Sequence, residues 1–303
     1  NKSMGKDKLG SFYGSVVGAR AQGAVEAAKL GAKAIIIRSV GTSINRFAHT
    51  GIMRYSDDVA RIPAAAISVP DAMQLEKMLA RQPELTLHLQ MQNKLPGDVI
   101  SHNVIAEITG SKYPDEIVLI SAHLDSWDEG TGALDDGAGV GIVMATAALL
   151  KQQGRPERTV RVVLFGNEEG GLVGARAYAA KHAAKLKNHV FASESDFGAG
   201  RIWRLDTDFG DKALSFGSTL QQKLAHLGIT MGDNTASGGP DVSILKAQGV
   251  PVVSLQQDGT DYFDYHHTPN DTLDKIEPEA MQQNLAAWLI TTTEVANSRV
   301  DLR

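Results

Sequence analysis

The 303-residue chain contains no cysteine. That excludes disulfides and thiolate metal ligands, so any metal it binds is held by histidine and carboxylate groups. An excess of positive charge is also missing. With 30 Lys and Arg against 35 Asp and Glu, the formal net charge is -5, and the basic footprint that nucleic acid requires is not there. No nucleic-acid partner is expected. No apolar run approaches the ~18–20 residues of a membrane span, so no membrane span is expected, and the opening NKSMGKDKLG carries no apolar signal core. Internal repeats and low-complexity tracts are lacking too. A start at NKS without an initiator methionine fits a processed chain, and a secreted or periplasmic location is the expectation.

What is present is an ordinary globular composition, 43% hydrophobic, sufficient for one large domain or two smaller ones. Glycine is mildly abundant at 30 residues, which suggests tight turns and close backbone approaches. Residues 15–31 read as helical up to Gly31, a C-cap before the apolar AIIIR. RIPAAAISVP then reads as a strand, DAMQLEKMLARQ as a helix capped by Asp71, and ELTLHLQMQ as a half-buried strand in which Leu85, Leu87 and Leu89 alternate with polar residues. NKLPGDVISH, residues 93–102, is the expected joint to a second region.

Beyond it the pattern repeats as strand, loop, helix. EIVLISAHLD, RTVRVVLFGNEE, KNHVFASESD and GVPVVSLQQ read as strands. AGVGIVMATAALL, GARAYAAKHAAKL and EPEAMQQNLAAWLITTTEVANS read as helices, the first with Val140, Val143, Met144 and Ala147 on one face, the last with Met281, Leu285, Trp288 and Leu289. The expected fold is α/β, a mostly parallel, mixed central sheet with helices on both faces. Ligands in such sheets gather beyond the carboxyl ends of the strands.

The chemistry-bearing residues fall at those ends. SAHLDSWD sets His123 and Asp125 after one strand, FGNEEGG sets Glu168 and Glu169 after the next, and ASESD sets Glu194 and Asp196 after a third. DYFDYHHTPNDT adds His266 and His267, and GALDDGAG holds the adjacent acids Asp135 and Asp136. A lone histidine after a strand is commonly a solvated loop residue, and an acidic pair there commonly caps a helix. Four segments delivering such groups to one edge make coincidence a poor account. A divalent cation reverses the local electrostatics and turns mutually repelling carboxylates into ligands. Histidine and carboxylate without thiolate suit zinc, with cobalt or manganese as substitutes.

The motifs SAHLDSWDEGTGALDDGAG, FGNEEGGLVGA, ESD and YHHTPNDT resemble those of the co-catalytic zinc exopeptidases that include bacterial leucyl-type aminopeptidases. The resemblance implies two zinc ions per chain bridged by Asp135, with His123 and Asp196 completing one shell and Glu169 and His267 the other. Asp125 would accept the His123 imidazole N–H, and relatives hold the bond after the bridging aspartate in cis. Two zinc ions carry four positive charges, and Asp135, Glu169, Asp196 and a bridging hydroxide neutralise them. That hydroxide would be the nucleophile and Glu168 the general base. His266, Tyr262 and Tyr265 would line the substrate pocket, while Asp241 reads as a helix N-cap.

Residues 1–98 resemble the protease-associated insert of that family, incomplete at its front, and 99–303 its zinc peptidase domain. The implied activity is hydrolysis of small peptides as an aminopeptidase or dipeptidase, with a homodimer as a further expectation. The alternatives are a carboxypeptidase of the glutamate-carboxypeptidase type, a one-zinc glutaminyl cyclase and a metal-free binding protein.

Overall fold

The computed structural model describes residues 3–94 and 97–303, so part of the expected joint at 93–102 lies outside the described residues. Helices α1 (Tyr13–Ala21) and α2 (Gly23–Lys29) lead to β1 (Ile35–Arg38), which pairs in parallel with β2 (Ala64–Ile67) before α3 (Val69–Arg81). Gly31 has φ +79°, as a C-cap requires. The cap of α3 is Ser68 rather than Asp71, because its side chain accepts the Asp71 N–H at 3.1 Å. The expected strand at 84–92 does not form, and Leu87 is 56% exposed. Alternation specifies a face but not a partner, and no described strand pairs with this segment.

The remaining elements are β3 (Val104–Ile108), β4 (Tyr113–His123), α4 (Ala138–Gln153), β5 (Arg158–Phe165), α5 (Val173–His182), β6 (His189–Glu194), β7 (Ile202–Asp208), α6 (Leu214–Leu224), β8 (Thr230–Met231), α7 (Val242–Lys246), β9 (Val252–Gln257), α8 (Tyr262–Tyr265) and α9 (Pro278–Asn297). Seven strands form one sheet in the order β3-β5-β4-β6-β9-β7-β8. The four central strands β5, β4, β6 and β9 are parallel, while β3 runs antiparallel to β5 and β7 antiparallel to β9, with β8 parallel to β7.

Strands covered on both faces read as apolar runs, and β4 shows why. Val118, Ile120 and Ala122 pack into a layer with Ile142, Val143 and Leu150 of α4 and Trp288 and Val295 of α9. Ile117 and Leu119 point the other way, into a layer with Tyr178 of α5 and Val242 and Leu245 of α7. Each such side chain contributes about 1.5–3 kcal/mol on burial. Met144 departs from the expected inward face of α4 and is 54% exposed, since the buried stripe runs through Ile142, Val143, Thr146 and Leu150. Segment 133–153 is also apolar and long enough to cross a membrane by length and composition, with mean hydropathy 1.5, contrary to expectation. Half of its apolar window is buried inside the protein, as in a core helix.

From β4 the chain crosses through α4 to β5 on one side, and from β5 through α5 to β6 on the other. The two connections diverge at the carboxyl end of β4 and open a crevice there.

Candidate metal centre

His123 is the last residue of β4. Glu168 and Glu169 follow β5, Asp196 follows β6, and His266 and His267 follow α8. Asp135 and Asp136 sit in the turn Ala133–Gly137 ahead of α4, both with non-helical backbone angles, joined by a cis peptide bond as the resemblance implies. The five expected donors converge. His123 Nε2 lies 3.1 Å from Asp135 Oδ1 and 3.5 Å from Asp196 Oδ1. His267 Nε2 lies 3.3 Å from Asp135 Oδ2 and 3.0 Å from Glu169 Oε1. The two oxygens of Asp135 therefore face two different histidines.

Four of the five donors are held by neighbouring groups, one of which, Asp136, itself stands close to His123 and Asp196. Asp136 accepts the backbone N–H of His123 at 3.0 Å through Oδ2 and that of Gly139 at 3.2 Å through Oδ1. Asp271 accepts from Leu134 N–H at 2.6 Å and Asp135 N–H at 3.1 Å. The Asp125 carboxylate accepts the N–H groups of Glu168 and Glu169 at 2.9 and 3.1 Å. It does not take the His123 imidazole proton as expected. That partner, at 2.8 Å from Nδ1, is the Asp125 backbone carbonyl, and the carboxylate is 3.8 Å away. Either oxygen fixes the tautomer and leaves Nε2 free as a ligand.

His267, in the left-handed region at φ +60°, is fixed by Thr50, whose carbonyl lies 3.1 Å from Nδ1 and whose N–H donates to the His267 carbonyl at 3.0 Å. His266 stacks on His267 with centroids 3.5 Å apart, and its Nε2 lies 3.5 Å from Asp135 Oδ2. Its Nδ1 is buried without a partner, so no acceptor sets its tautomer. The orientation favours His267 as ligand.

The protein charges alone call for cations here. Burial opposes charge on His123, yet Asp196 and Asp135 hold its pKa far above the usual imidazole range. Burial likewise opposes charge on His267, and Asp135 and Glu169 raise it to about 9. Burial pushes Glu168 up to about 9, assisted by the negative charge of Asp196, Glu169 and Asp241. Asp136 is driven up by burial and then by Asp196. His266 is driven down by burial and by His267.

The donor set fits zinc. Atoms held at 2.0–2.2 Å by one tetrahedral zinc lie about 3.4 Å apart, and the convergent pairs are separated by 3.0–3.5 Å. Glu169 Oε1 is buried and makes no aligned hydrogen bond, although His267 Nε2 is 3.0 Å away. Nitrogen and oxygen both aim past one another, as two ligands of one ion do.

A cleft of about 380 Å³ opens on these groups, lined by Asp135, Glu168, Glu169, Asp196, Tyr262, His266 and His267, with Tyr13, Arg20 and Arg54 from the N-terminal part of the chain. Tyr265 is not brought here. It lines a neighbouring depression beside Tyr262 and Glu277, with Lys275 Nζ 5.8 Å from its ring centre. Asp128 and Glu129 are exposed loop acids outside the cleft. Asp241 does not cap α7, as its side chain accepts no backbone hydrogen bond there. Glu194 takes that place, accepting the Val242 N–H at 3.2 Å, and Asp241 is left fully buried, raised to about 7 by burial. Thr50, Arg20 and Tyr13 are the contributors that no motif announces.

A doubly wound sheet with a two-histidine, three-carboxylate donor set at its carboxyl edge defines the class, an α/β fold with a candidate metal centre. More narrowly, the chain belongs to peptidase family M28, whose profile matches residues 103–292. It is 40% identical over 286 residues to carboxypeptidase Q of Homo sapiens, covering 94% of this chain and 60% of that protein. The chain thus spans about three-fifths of the length of the curated relatives it matches. A peptidase M28 precursor from Shewanella amazonensis is 52% identical with a TM-score of 0.93, over 99% of this chain and 68% of that one. A zinc aminopeptidase from Bacillus subtilis shares the fold at 22% identity and a TM-score of 0.65, over 92% of this chain and 69% of that one.

Proposed function

We propose that the protein is a zinc metallopeptidase that hydrolyses small peptides at a free terminus, as an aminopeptidase or dipeptidase. The observation that carries this is the Asp135 carboxylate, with Oδ1 at 3.1 Å from His123 and Oδ2 at 3.3 Å from His267. One buried side chain joins two donor sets, His123 with Asp196 and His267 with Glu169. Two zinc ions bound there, with cobalt or manganese as substitutes, supply Lewis acidity and a water of lowered pKa. The relatives support the class, one carrying carboxypeptidase and one zinc aminopeptidase in its name. The cleft, at about 380 Å³, lies towards the small end of ligand sites and suits a short peptide.

Glu168 lines that cleft beside the donors but has no share in the convergence. Its backbone N–H donates to Asp125 at 2.9 Å, which holds its main chain beside the donors. It is the general base, taking the proton of the attacking water and passing it to the leaving amine. Of the charges that raise Glu168, Asp196 and Glu169 are ligands and Asp241 is not, so cation binding returns Glu168 towards the carboxylate form.

The test is zinc content and turnover together. Zinc-loaded protein should hold about two ions per chain, and Glu168→Gln should keep both while losing roughly 10²–10⁴-fold in kcat on unblocked dipeptides. One ion or none, or a variant with near-normal turnover, overturns the reading.

A further inference from the structure

We propose that His49 is a positioning residue for the Glu169–His267 half of the metal centre alone, so that replacing it weakens one zinc ion and spares the other; this rests on the metallopeptidase reading above. His49 lies in the N-terminal part of the chain, outside every motif, and is fully buried. Its Nδ1 stands 2.7 Å from the His266 carbonyl. A carbonyl oxygen can only accept, so Nδ1 carries the proton and donates. The imidazole is itself fixed. The His49 N–H donates to Ser39 Oγ at 2.9 Å, and Ser39 donates its N–H and its hydroxyl to the Ile67 carbonyl at 2.9 and 2.8 Å, at the end of the β1–β2 pair. A methyl group on Gly41 would stand 2.1 Å from Cε1 of the ring, so the imidazole packs against that glycine.

The backbone of His267 gives this contact its consequence. With φ +60°, the residue holds a left-handed conformation that is unfavourable for any side chain. Such a conformation persists where the surroundings fix the peptide planes on both sides of the Cα. The plane before His267 carries the His266 carbonyl, which takes the His49 proton, and the plane after it carries the His267 carbonyl, which takes the Thr50 N–H at 3.0 Å. Thr50 alone would fix one plane. His49 supplies the other, and the two together set the direction in which the His267 imidazole leaves the backbone. Thr42 clasps the same stretch once more, its N–H donating to the Phe263 carbonyl at 2.9 Å and its hydroxyl to Asp264 Oδ1 at 2.8 Å. The other half-site is built differently. His123 is oriented by Asp125 and Asp136, and the chain ahead of Asp196 is tied to β4 by the Ser195 N–H on the Ser121 carbonyl at 2.9 Å. Those bonds lie within the sheet and its connections and do not pass through His49.

The experiment counts zinc ions under chelator competition in wild type and in His49→Leu. Wild type should hold two. His49→Leu should bind one ion as wild type does and the other roughly 10- to 100-fold more weakly. Two double variants identify the survivor, since adding Glu169→Ala should still leave one tight ion and adding Asp196→Ala should leave none. His49→Asn, whose amide can donate from nearly the place of Nδ1, should restore most of the lost affinity, which a ring that merely fills space would not predict. If His49→Leu fails to fold, Ser39→Ala, which removes the acceptor of the His49 N–H, should give the same one-ion loss at roughly two- to fivefold. Equal weakening of both ions, wild-type affinity for both, or no rescue by asparagine overturns the positioning role and leaves the metallopeptidase reading standing. Wild type holding one ion or none overturns both.

Discussion

Asp271 shows how much of the metal centre is decided by a side chain outside the donor set. Its carboxylate closes on the N–H groups of Leu134 and Asp135, and its carbonyl accepts the N–H and hydroxyl of Thr131. Replacing it with alanine leaves two buried amides without acceptors, each costing about 1–3 kcal/mol. We expect Asp271→Ala to lower zinc affinity roughly 10- to 100-fold and to destabilise the protein, as read by chelator competition and urea unfolding. Wild-type zinc affinity in that variant would show that the turn holds its shape unaided. Asp271 was visible in the sequence only as a loop acid, because nothing in NDT says which backbone amides its oxygens will meet.

At the scale of single elements, the two glycines near the start of α4 make opposite predictions. A methyl group on Gly139 would stand 2.0 Å from the Ser195 carbonyl and 2.3 Å from Asp136 Oδ1, so the helix enters the site only because that position has no side chain. Gly139→Ala should cost at least ~2 kcal/mol by overpacking. On Gly141 the nearest atom is a Met281 methyl at 4.0 Å, and Gly141→Ala should be neutral or stabilising by up to ~1 kcal/mol. Paired denaturation curves decide it, and equal effects at the two positions would refute the packing account.

The elements most legible in the sequence were those whose burial is two-sided. IVLISA and VRVVLF can only be central strands, and their carboxyl ends announced the donors. β7, read as IWRLDTD, escaped because its charged residues interrupt both periodicities, with Arg204 pairing Asp206 two positions on at 2.8 Å. The opposite error at residues 84–92 has the opposite cause, since alternation was present and a pairing edge was not. Thr50 and Arg20 were illegible because their contacts with the centre join residues more than 200 positions apart or pass through a neighbouring carbonyl.

Across the whole molecule, pH should act on stability through a histidine remote from the centre. His189 opens β6 and is buried, with Nε2 2.7 Å from the Tyr178 hydroxyl and Nδ1 3.3 Å from the Lys185 carbonyl. Arg161 donates to the same hydroxyl at 2.6 Å, so the phenol gives its proton to an imidazole that must be neutral. Burial, reinforced by Arg161, lowers His189 to about 4. The unfolded chain therefore binds a proton below pH ~6.5 that the folded chain refuses until about 4. Stability is full above that window and falls as pH drops through it, by about 2 kcal/mol between pH 7 and pH 5 from this residue. His189→Gln should flatten that part of the pH profile in urea unfolding, and an unchanged slope would remove His189 from the account.

The family match begins at residue 103, whereas the bonds that orient His267 come from the N–H and the carbonyl of Thr50. The matched segment is thus not portable. A graft of residues 103–292 into another scaffold would carry all five donors and leave one imidazole without the oxygen that tells it which nitrogen to offer.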